Sequence, residues 1–81
     1  MYSIYVLKSE KDGKLYIGCT SDIENRLYYH NSGKVLSTKS RRPFNLIFTE
    51  AYVDKYQAFK KERYYKTAKG KKEIKNKIEN S

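Results

Sequence analysis

A chain of 81 residues has room for one small core, which excludes multi-domain enzymes and repeat solenoids. Eighteen Lys and Arg against nine Asp and Glu give a net charge of +9, which favours a polyanionic partner such as nucleic acid. One cysteine and one histidine exclude an internal disulfide and an all-Cys/His zinc site, so any metal must be held mainly by oxygen. Aromatic residues reach 15%, nine of them tyrosine, which is the composition of a folded chain. The longest apolar run, Ile4 to Leu7, is far too short to span a bilayer, and with no signal-peptide pattern the expected location is cytosolic.

Residues 2–8 and 14–19 are rich in β-branched and aromatic side chains, with Asp12-Gly13 between them as a hairpin signal. A two-residue turn there pairs Lys11 with Lys14 and puts Ile4, Val6, Leu15, Ile17 and Cys19 on the core side. Ser3, Tyr5, Tyr16 and Gly18 fall on the opposite, polar side. Any even loop length keeps Tyr5 and Tyr16 on a common face; Leu7 breaks the pattern, and an odd loop or a bulge near Glu10 would separate them.

Ser21-Asp22-Ile23-Glu24 reads as a capping box with Ser21 as N-cap, and Gly33 as a C-terminal stop, giving a helix of about three turns. Its inward stripe is Ile23, Leu27 and part of Tyr28, flanked by Arg26 and His30. Residues 34–43 read as a loop and 44–53 as the strand completing the sheet. Asp54 caps the next helix, with Gln57 in the capping-box position and Ala58, Phe59, Glu62 and Tyr65 toward the sheet. Gly70 is expected to end it, and Lys71 to Asn80 to form a short basic helix seamed by Ile74 and Ile78. The fold class is α+β: a small three-stranded antiparallel sheet flanked by helices in the order β-β-α-β-α-α, one domain over residues 1–81.

In this order, Ser3-Ile4-Tyr5, Tyr16-Ile17-Gly18, Arg26-Leu27 with His30-Asn31 and Gly33, then Ala58, Glu62 and Lys66, the sequence resembles the GIY-YIG nuclease family. The match is to small stand-alone members and to the N-terminal domain of the excision-repair incision subunit, a DNA-repair setting. Ser3 stands where the family's first tripeptide begins with glycine. The resemblance implies metal-dependent hydrolysis of a DNA phosphodiester, with Mg²⁺ or Mn²⁺ at Glu62, water activated by Tyr16, phosphate charge stabilised by Arg26, and Tyr5 and His30 in support. Asn76 is the loose counterpart of an asparagine that assists the site in some relatives.

The chemistry agrees. Arg26 can fork two donors onto a phosphate, and one carboxylate suits a cation that keeps several waters. An unperturbed phenol near pKa 10 is an awkward base that Arg26 and a metal would lower, and His30, ordinarily near 6.5, is the easier proton acceptor, so it is expected as backup or relay to Tyr16. Each residue also has an ordinary role: sheet tyrosines, an Arg26–Asp22 pair, a His30 dipole contact, a Glu62–Lys66 pair. Cys19 reads as an inert core residue. The charge excess lies after residue 33: Lys34, Lys39, Arg41 and Arg42 in the loop and the lysines of the tail, with Lys66, are the expected nucleic-acid contacts. The alternative is a non-catalytic nucleic-acid-binding module on the same fold. The oligomeric state is open, with a homodimer compatible.

Overall fold

The computed structural model describes residues 1–80. The elements are β1 (Tyr2–Ser9), β2 (Leu15–Thr20), α1 (Ile23–Asn31), β3 (Phe44–Tyr52), α2 (Lys55–Tyr65) and α3 (Ala68–Glu79), with a turn of 3₁₀ helix at Lys39–Arg41 before β3. The three strands form one antiparallel sheet in the order β2-β1-β3, the α+β architecture expected. No described helix is long and apolar enough to cross a membrane.

The hairpin closes with Ser9 opposite Lys14, so its loop spans residues 10–13 and not two residues. The slip is even, and the faces survive it. Ile4, Val6 and Ile17 pack with Tyr65 and Ile74 on the face covered by α2 and α3. The other face, expected to be polar, is a second core of Tyr5, Leu7 and Phe44, against which Tyr16 and Leu27 of α1 pack. Leu7 therefore breaks the alternation because both faces of β1 are buried. The bulge lies on the β3 side: Val6 pairs with Phe48 and Leu7 with Leu46, which leaves Ile47 as the extra residue and does not part the two tyrosines.

Helix boundaries shift in three places. Asp22, not Ser21, caps α1, its carboxylate accepting from the Asn25 amide at 3.1 Å. At the other end Gly33 takes φ +80°, and the amides of Gly33 and Lys34 bond the carbonyls of His30 and Tyr29 in a Schellman closure. Asp54 caps α2 as expected, accepting from the Tyr56 amide. Gly70 does not end α2. Thr67 starts α3 by accepting from the Gly70 amide, and Gly70 sits in the first turn, where any Cβ would collide with the Tyr64 carbonyl. It permits close approach of two helices, and Ile74 and Ile78 then reach the first core.

Along α1 the buried position is His30, at 0% exposure, while Tyr28 is 60% exposed. The stripe runs Ile23, Leu27, His30 and leaves Tyr28 outside. Phe59, placed toward the sheet by its spacing, is 41% exposed and meets Tyr2 edge-on.

Candidate active site

Tyr5 points from the central strand into the second core, over Gly18 on β2, its cross-strand partner. A Cβ at Gly18 would collide with the Tyr5 hydroxyl, so this glycine makes room for the phenol. The hydroxyl is the hub of the site. Arg26 Nε donates to it at 3.3 Å, and it lies 3.0 Å from His30 Nε2. On the far side of the ring His30 Nδ1 is 2.9 Å from the Thr38 hydroxyl, which donates to the Val35 carbonyl at 3.3 Å. Thr38 has one proton and has committed it, so it accepts the Nδ1 proton; the Nε2 lone pair then accepts from Tyr5. The donors run one way: Arg26, Tyr5, His30, Thr38, Val35. Both His30 and Thr38 are fully buried.

This arrangement settles the protonation of its members. Burial and the adjacent Arg26 charge push His30 down to about 4, far from the ordinary value on which its expected part as a ready proton acceptor rested. Burial also raises Tyr5, outweighing its Arg26 hydrogen bond, so this phenol keeps its proton. Arg26 is held in its charged form by that bond and by its interaction with both phenols.

Tyr16 lies beside this chain, its ring 4.7 Å from His30 and 6.3 Å from Tyr5 between centroids. Unlike Tyr5 it is only half-buried. The Lys66 ammonium stands over the Tyr16 ring at 6.0 Å and pairs with Glu62 at 2.9 Å. Through Lys66 the Glu62 carboxylate stands at the Tyr16 edge of this patch, while burial first and Glu62 second raise the Cys19 thiol on the opposite face of β2. Tyr5, Tyr16, Arg26 and His30 thus come together from β1, β2 and α1, and Glu62 of α2 reaches their Tyr16 edge through Lys66.

The expected nucleic-acid contacts are more scattered. Lys34 lies 5.5 and 5.4 Å from the exposed rings of Tyr28 and Tyr29. Lys39 and Arg42 are exposed, Arg42 bonding the Lys39 carbonyl. Arg41 is tied to the hairpin tip by an ion pair with Asp12 at 3.2 Å. Asn76 is bonded by Asn80 at the end of α3 and borders a groove with Tyr64, Lys69 and Lys72, none of them among the five.

Three further residues position this cluster: Thr38, which sequence reasoning missed, and Asn31 and Gly18, which it quoted in the family order without a positioning role. Thr38 carries no signal, being one small polar residue in a loop. Asn31 clamps α1 to β3 by accepting from the Phe44 amide at 2.7 Å and donating to its carbonyl at 3.2 Å. Gly18 faces Tyr5 only once the hairpin loop has four residues.

Among the described residues no three His, Cys, Asp or Glu side chains stand together as a metal cage. Glu62 is one hard oxygen donor group beside two phenols and an arginine. That set fits a cation such as Mg²⁺, which binds through one or two carboxylates plus substrate phosphate and keeps the rest of its water.

A family model described as the GIY-YIG catalytic domain matches residues 1–77. UPF0213 protein SSP2268 of Staphylococcus saprophyticus is 42% identical over 73 residues, covering 89% of this chain and 88% of that protein. UPF0213 protein YazA of Bacillus subtilis is 44% identical over 69 residues, covering 84% and 69%. The solution NMR structure of UPF0213 protein BH0048 from Bacillus halodurans superposes with a TM-score of 0.58 at 32% identity, over 94% of this chain and 84% of that one.

Proposed function

Because this chain belongs to the GIY-YIG catalytic domain family, a family of nucleases, we propose that residues 1–81 form a metal-dependent endonuclease unit that hydrolyses DNA phosphodiesters. The observation that carries this reading is the convergence of Tyr5, Tyr16, Arg26 and His30 around one hydrogen-bonded chain, with Glu62 linked to the Tyr16 edge through Lys66. Arg26, its Nε anchored on Tyr5, directs its remaining donors at a non-bridging phosphate oxygen. Tyr16 acts in its phenolate form, its own proton having left to solvent, and takes the proton of the attacking water to become the phenol. Tyr5 and His30 act as the frame that holds Arg26 and packs the Tyr16 ring in place. Glu62 would hold Mg²⁺ or Mn²⁺ with Lys66 swung away, which the half-exposed lysine side chain allows. Held there, it would supply Lewis-acid neutralisation of the phosphate charge. Lys34, Lys39, Arg41, Arg42 and Lys66 track the phosphate backbone, and Asn76 has the weakest claim to a part in this.

The Glu62–Lys66 ion pair favours a second reading, a nucleic-acid-binding module without catalysis, because it neutralises the metal ligand internally. Cleavage of labelled duplex, branched and single-stranded DNA with Mg²⁺ or Mn²⁺ separates the two. The proposal expects cutting by the wild type and at least about a hundredfold loss in Glu62→Ala. Binding of equal affinity by both proteins with no cutting supports the module.

A further inference from the structure

A 580 Å³ groove lies between α3 and the hairpin, half open to solvent. Its floor is aliphatic: the half-buried Leu15 of β2, Ile47 of β3 and Ile78 of α3, laid over the buried Ile17 and Ile74 of the first core. Its rim carries Lys8 and Lys14 on one side and Lys71 and Lys75 on the other, with Glu79 the one acid. Lys61, Lys66 and Lys77 elsewhere on the helices are all ion-paired, whereas none of the four rim lysines is paired among the described residues. Strand alternation puts Leu15 and Ile17 on the side of β2 opposite Tyr16, so this groove is a different surface from the site above.

We infer that this groove docks an acidic amphipathic helix of a partner protein. The apolar floor takes a stripe of leucine-like side chains at i, i+3, i+4 and i+7, and the two lysine rims take the carboxylates flanking that stripe. Nucleic acid suits the surface less well. Unpaired bases stack on aromatic rings, yet none of the chain's nine tyrosines lines this groove, and a duplex backbone has no use for an aliphatic floor. The inference does not depend on nuclease activity.

The test uses the full chain and a fluorescein-labelled helical peptide of about 18 residues with leucine on one stripe and glutamate on its flanks, long enough for about five turns. Anisotropy measures affinity, and backbone amide resonances of the protein locate the contact. Expected are shifts at Leu15, Ile17, Ile47 and Ile74, and affinity at least about tenfold lower both for the Lys71→Glu/Lys75→Glu variant and for a peptide with serine in place of leucine. Absence of binding, equal binding of the serine peptide, or shifts confined to the Arg26–His30 surface would overturn it. So would shifts at Leu15, Ile17 and Ile47 on adding a DNA oligonucleotide, which would assign the groove to nucleic acid.

Discussion

Buried, and beside the Arg26 charge, His30 is lowered to about 4. Below pH 6.5 the unfolded chain takes up a proton there that the folded protein refuses until about pH 4. The unfolded state then binds more protons, so this contribution to stability is whole above 6.5 and is lost as pH falls through that window, by about 3 kcal/mol at its lower end. The groups facing the ring are Tyr5, Tyr16, Phe44, Thr38 and, through Tyr5, Arg26, and none brings an acid that would reverse the sign. His30 is the only histidine, so one imidazole resonance reads its titration: a midpoint near 4 is expected, and one at 6 or above contradicts the burial. The same packing makes Gly18→Ala a severe change. Its methyl displaces the Tyr5 hydroxyl from Arg26 and His30, and cleavage should fall by at least about tenfold while the circular dichroism of the fold persists.

Between elements, the contact of α2 with α3 turns on Gly70. Replacement by alanine improves helix propensity by about 1 kcal/mol, but its Cβ meets a backbone carbonyl that has no rotamer to retreat into. The helices must part, loosening Ile74 from Ile4, Val6 and Ile17 at a cost of about 1–3 kcal/mol. Gly70→Ala should therefore lower the urea midpoint with an unchanged slope, and a raised midpoint would show that the contact is not tight. A second tie holds the same elements: Glu50 of β3 accepts from Tyr52 at 2.6 Å, from Tyr65 of α2 at 2.7 Å and from Lys77 of α3 at 3.0 Å. The sharing of a face by Tyr5 and Tyr16 was legible because every even loop preserves it. The burial of His30 was not, since a polar residue at i+7 from Ile23 reads as flank when a tyrosine at i+5 offers more apolar area. Gly70 misled for a physical reason: glycine serves both as a left-handed cap and as a gap for a neighbouring backbone, and composition does not distinguish the two. The Thr67 cap was the sign of the true boundary.

Across the whole molecule, charge and site lie on a common frame. The loop that carries Lys39 and Arg42 is fastened to the hairpin tip by Asp12–Arg41, by Ser9 Oγ to the Arg41 carbonyl at 2.6 Å and by Lys11 to the Ser40 carbonyl at 3.2 Å. Arg41 belongs to that fastening, so Arg42 and Lys39 are the freer cations. Neutralising both as Lys39→Gln/Arg42→Gln should weaken DNA binding and reduce the slope of log K against log salt by about 1–2, whereas an unchanged slope would remove the loop from the contact. The five candidate residues were legible only as a set in family order, because each alone has an ordinary structural use; Asn31 stood in that order without a role, and Thr38 depends on a loop conformation that no local pattern announces. The one-way run of donors from Arg26 to the Val35 carbonyl has a further consequence. It ends on an acceptor with no proton to pass on, and behaves as an electrical insulator and not as a wire. For a proton released beside Tyr16 this run offers no path inward, and the half-exposed phenol has solvent on its other side.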